Sequence, residues 1–258
     1  MSVLSRIQLY LSIARFDEDN TKYESIHDLY VNLLAYLRGK GDLYPIKPTV
    51  WRVFGSHVGV GSQFVIDFTI KPADYFTGNM NASKLPHVLT LSILDKDELG
   101  EHPDRLTLKR HVLKELSDKK TFMIMLHELT HYYDMQRIPG KIFDRDVERA
   151  EHLKPTEHYS DSPTEFNTLS VEKESSLRQL LLEFKRAATD TTKTEVIEKA
   201  KHILGKNFYE WLNNIEKPWV KGYHIKHLLS PKRQKHLLKR LVPLYIKTRE
   251  LILDSKKV

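Results

Sequence analysis

The chain has 258 residues, 40% hydrophobic and 29% charged, which is enough apolar material for one large globular domain or two joined lobes. It contains no cysteine, so disulfides and thiolate zinc sites are excluded and any metal must be held by His and carboxylates. The net charge of +7 is uneven: from Lys217 onward, 12 Lys and Arg face only Glu250 and Asp254, a balance that suits an acidic partner or nucleic acid.

In chain order, the first apolar stretch is interrupted by Arg6, Gln8 and Arg15 and lacks the form of a signal peptide. No run reaches the ~18 apolar residues of a membrane span. A cytoplasmic protein without a membrane partner is expected. Thr21-x-x-Glu24 reads as a capping box, and Tyr23, Ile26, Tyr30, Leu33, Leu34 and Leu37 mark an amphipathic helix ending near Gly39–Gly41. The period then changes. Val50–Phe54, Phe64–Ile70 and Val88–Leu94 are rich in β-branched and aromatic residues and predict three strands. Leu106–Leu116 returns to helical spacing and leads into the most informative segment of the chain.

That segment, Phe122–Asp134, carries His127-Glu128-Leu-Thr-His131, an H-E-x-x-H pattern within an apolar helical repeat. On a helix, residues i and i+4 lie one turn apart on the same face, so His127 and His131 can grip one cation. Glu128 flanks that cation without binding it, where it can take a proton from a metal-bound water. The plainer reading is a solvated helix with two His and a Glu on its polar face. A buried apolar stripe of Phe122, Met125, Leu126, Leu129 and Tyr133, unbroken until Pro139-Gly140, favours the metal site.

A charged connection of two dozen residues follows, carrying Glu148, Glu151, His152, His158 and Tyr159. Ser162-Pro163-Thr164-Glu165 predicts a new helix with Pro at its first position and a second capping box. Phe166, Leu169, Leu177, Leu180, Leu181 and Phe184 form its apolar face. Beyond it, Thr192-x-x-Glu195 predicts a helix ending at Gly205, Phe208–Ile215 a short helix, and Ser230-Pro231 a last one, kinked or broken at Pro243. The expected class is α+β: a lobe over residues 1–170 and a helical lobe with a basic end over residues 171–258.

The metzincin continuation is absent, because Asp134 stands where Gly is needed and Arg137 where the third His is needed. His127-Glu-Leu-Thr-His131-Tyr-Tyr-Asp134 and Tyr159-Ser-Asp-Ser-Pro163-Thr-Glu165 resemble the gluzincin branch of the zincin metallopeptidases. More narrowly, they are similar to small zincin-like proteins of bacteriophages and bacteria, over residues 20–185. The resemblance implies a zincin-like mixed sheet, an active-site helix, a glutamate helix and a bound Zn²⁺. It implies Glu165 as third ligand, with Glu151 at thermolysin-like spacing and His158 as alternatives. Glu165 also suits the helix cap for backbone reasons alone. Tyr159 or His158 would donate to the oxyanion, and Asp134 would orient His131 or pair with Arg137.

A zinc-dependent endopeptidase is the expected activity, with the strand at Val88–Leu94 as a sheet edge able to pair with an extended peptide. The alternatives are a catalytically idle structural or assembly module of virion type and a nucleic-acid-associated protein. A phage-encoded copy would reside in the host cytoplasm or the virion.

Overall fold

The computed structural model describes residues 3–72, 76–100, 103–137, 163–216 and 229–254, with side chains from residue 20 onward except those of 137, 163–165 and 216. The fold is mixed α+β, and the chain divides into two compact units: Ser25–Ile138, and Met1–Glu24 together with Pro139–Val258. Among the described residues no helix is long and apolar enough to cross a membrane.

The first helix, α1, runs over Val3–Arg38. It passes straight through Thr21–Glu24, so the capping box there starts nothing. No Gly or Pro lies between Val3 and Arg38, and nothing interrupts propagation from upstream.

The Ser25–Ile138 unit is built on a five-stranded sheet of β1 (Tyr44–Lys47), β2 (Val50–Phe54), β3 (Phe64–Lys71), β4 (Thr77–Asn81) and β5 (His87–Asp95), in the order β1-β2-β3-β5-β4. Neighbours are antiparallel except β3 and β5, which are parallel. Two short helical turns lie beside it, a 3-10 turn at Gly55–His57 and α2 at Lys96–Leu99. The three expected strands are all present. Those buried on both sides, β3 and β5, carry Ile66, Phe68, Leu89, Leu91 and Ile93, which are fully enclosed. The hairpin between β2 and β3 turns through Gly59 and Gly61, both at φ near +85° (84° and 88°), a conformation closed to most side chains.

Two further strands, β1 and β4, flank the sheet, and their presence corrects the expected edge. Val88–Leu94 is interior, paired on both sides, and β4 is the edge instead.

Helix α3 (Arg105–Leu116) is capped by Asp104, whose carboxylate accepts from the Leu106 and Thr107 backbone N–H groups. It packs on β5 and on α4 (Lys119–Arg137), the helix that carries the H-E-x-x-H pattern. From α1, Tyr30 donates to the Leu116 carbonyl at 2.6 Å and lays its ring on Phe122, fixing the start of α4.

The second unit is helical in its described part: α5 (Pro163–Arg186), α6 (Asp190–Leu204), α7 (Phe208–Glu216) and α8 (Pro231–Leu253). Leu169, Leu177 and Leu180 of α5 join Ile197, Trp211, Leu237, Leu241 and Tyr245 in one apolar core. The cap of α6 is Thr189, paired reciprocally with Thr192, three residues earlier than Thr192-x-x-Glu195 suggests. Ser230 caps α8 as expected, by accepting from the Arg233 N–H. Helix α8 continues through Pro243. Pro243 and Lys239 are both exposed, so water can satisfy the Lys239 carbonyl that proline leaves without an amide donor.

Candidate metal centre

Helix α4 runs along the edge of the sheet in the same direction as β4. Its successive turns mark the path. Lys120 sits over the Phe76 ring, Ile124 and Glu128 lie against Gly78, and the Tyr132 hydroxyl meets His87 Nδ1 at 3.0 Å. Met125, Leu126, Leu129 and Thr130 are buried. Of the expected apolar stripe, Phe122 and Tyr133 are half-buried, Tyr133 bonded to Ser25 of α1. Thr130 returns its hydroxyl to the Leu126 carbonyl at 2.6 Å, so no polar group is wasted in the packed face. His127, Glu128 and His131 are left half-buried on the remaining face, reachable from solvent yet held on a rigid helix.

His127 and His131 point the same atom at the same place. Their Nε2 nitrogens lie 3.3 Å apart, with the rings 4.9 Å between centroids and inclined at 76°. Two imidazole nitrogens each 2.0–2.1 Å from a tetrahedral zinc ion would be separated by about 3.3–3.4 Å. The pair therefore fits a shared zinc. As a ring-to-ring hydrogen bond, the same distance requires one protonated and one bare Nε2 and is long for its type.

Among the described residues no cluster of three or more His, Cys, Asp or Glu is placed to hold a metal ion. The side chains named from sequence for the remaining roles, Glu165, Glu151, His158 and Tyr159, lie outside the described residues, as does that of Arg137. Asp134 is buried, 4% exposed, three residues beyond His131. That burial sets it apart from a solvated surface carboxylate.

The sequence reading missed Gly78. A Cβ at this position would stand 2.5 Å from Ile124 Cγ2 and 2.7 Å from Glu128 Cγ. Neither is the loose end of a side chain, so only glycine lets the edge strand lie directly on the helix beside Glu128. The one available signal was a glycine within an otherwise unassigned polar stretch. Gly78→Ala is expected to destabilise the fold by about 1–3 kcal/mol through overpacking. A urea unfolding midpoint equal to wild type would show that β4 and α4 separate freely.

No protein-family model, curated protein or solved structure matches the chain.

Proposed function

We propose that this chain is a zinc-dependent metallopeptidase of zincin type, with a peptide bond as substrate, His127 and His131 as metal ligands and Glu128 as general base. The observation that carries the reading is the 3.3 Å approach of the two Nε2 atoms, from His127 one residue before Glu128 and His131 three after. When bound, zinc supplies a Lewis acid for the scissile carbonyl. Glu128 accepts the proton of the attacking water and passes it to the leaving amine. It sits where Gly78 of β4 lies directly against α4. Among the described residues, the outer edge of β4 has no strand beside it. An extended peptide pairing there would run past Glu128 and be held by backbone hydrogen bonds. In this reading the mixed sheet, its antiparallel edge and α4 form a zincin-like catalytic lobe.

The third ligand in this reading is Glu165, the residue the resemblance supplies, with Glu151 and His158 as the alternatives. Metal analysis is expected to find about one zinc per chain. His127→Ala/His131→Ala should abolish it, and full zinc content in that variant would remove the basis of the proposal. Chelator competition separates the candidates for the third position. Glu165→Gln preserves a helix cap, because Gln serves the capping box equally well. A loss of zinc affinity in this variant with none in Glu151→Gln assigns Glu165. The reverse assigns Glu151, and loss in neither points to His158 or to a site with only two of its three ligands.

A further inference from the structure

We infer that the exposed face of α8 binds the phosphodiester backbone of nucleic acid, a role separate from the metal site and independent of whether that site is catalytic. The helix sorts its basic residues into two sets. Arg233 lies over the Phe166 ring and Arg240 is paired with Glu174, so both serve the fold. Lys232, Lys235, His236 and Lys239 are exposed instead. Their spacing of i, i+3, i+4 and i+7 places them on one face of the helix. Among the described residues none of these four is paired with a carboxylate.

Their position argues against a merely solubilising role. Lys232 stands in the first turn of α8, where the helix dipole is positive, and there is no acidic residue in that turn to offset it. A cation there is unfavourable alone and becomes favourable when an anion is brought to it. No acidic residue appears between Pro231 and Arg249, so the stretch has no internal counter-charge.

The chemistry selects a phosphate polymer over a bilayer. An interfacial helix needs a broad free apolar face, and the main one of α8 is committed: Leu237, Leu241, Leu244, Tyr245 and Ile252 are buried in the core, which leaves Leu238, Ile246 and Leu251 exposed outside it. Lys232, Lys235 and Lys239 extend over roughly 10 Å of helix axis. A nucleic acid strand presents a charge about every 3.4 Å, so each ammonium meets a phosphate without demanding a particular base.

The test is fluorescence anisotropy of the full chain with a labelled 20-base-pair DNA duplex and a 20-nucleotide RNA, at salt from 50 to 200 mM. Three neutralised phosphates should weaken duplex binding about 40-fold over that range. Lys232→Gln/Lys235→Gln/Lys239→Gln should flatten the log–log salt slope on the duplex by roughly 2.7. A control of matched charge, Lys193→Gln/Lys201→Gln/Lys206→Gln on exposed positions of α6 and the turn after it, should leave the slope unchanged. The tighter of the two probes identifies DNA or RNA as the source of the phosphates. An unchanged slope in the α8 variant, an equal loss in the control, or binding to phosphatidylglycerol vesicles with none to either nucleic acid would overturn the inference.

Discussion

Glu128→Gln is expected to retain zinc and the fold while losing hydrolysis by about two to four orders of magnitude, the usual contribution of a positioned general base. The amide is nearly isosteric with the carboxylate. Its Cγ keeps the packing against Gly78 and Ile124 that seats β4 on α4. The imidazoles proposed to bind the metal, one residue before and three after, are untouched. Only the ability to accept a proton changes, so the loss belongs in kcat with the zinc content constant. The measurement is cleavage of a peptide library, with metal analysis on the same samples. Equal cleavage by variant and wild type would show that another group is the base. A wild-type chain that holds zinc and cleaves no peptide would favour the idle structural reading.

The second large effect is on stability and comes from the helical unit. Glu174 of α5 is fully enclosed and is met by two guanidinium groups. Arg178 bonds it through Nη2 at 2.5 Å and Nε at 3.0 Å, and Arg240 reaches it through Nε and Nη2. Each arginine is steadied by an asparagine, Arg178 by Asn20 at 2.5 Å and Arg240 by Asn167 at 3.0 Å. Glu174→Gln removes the charge that compensates both arginines, and the expected loss is about 3–5 kcal/mol, read from urea unfolding. A loss below 1 kcal/mol would mean that water or another carboxylate already compensates them.

The same group sets an acid limit. Burial pushes the Glu174 carboxyl up, but Arg240 and Arg178 outweigh it and hold the carboxyl below its ordinary 4.5. A carboxylate whose folded pKa is lowered stabilises fully above the unfolded value and loses that contribution as pH falls through the folded one. Wild type should therefore weaken below about pH 4.5, and Glu174→Gln should lack that part of the acid dependence.

The sequence by itself determined what depends on neighbours within a few turns. The helical register of α4 is local, and i, i+4 spacing alone puts His127 and His131 on one face. The strands β2, β3 and β5 declare themselves because their apolar, β-branched residues suit a buried sheet. The stop at Gly205 and the start at Ser230-Pro231 are likewise local backbone chemistry.

Tertiary structure decided whatever depends on a distant partner. Thr77-Gly-Asn-Met-Asn81 has little strand preference of its own. It becomes β4 because the register with β5 pairs its backbone, and because Gly78 admits α4. With β4 in place, Val88–Leu94 is an interior strand, and the edge beside Glu128 belongs to a segment that hydropathy would leave as loop. Helix α5 shows the same limit from the other side. Thr168, Ser170, Glu172, Lys173, Glu174, Ser175 and Arg178 lie outside the apolar face that the sequence marks, yet all are buried. For Glu174 and Arg178 the reason is known: a charge can leave water when opposite charges meet it with good geometry, and Arg240 comes from 66 residues away.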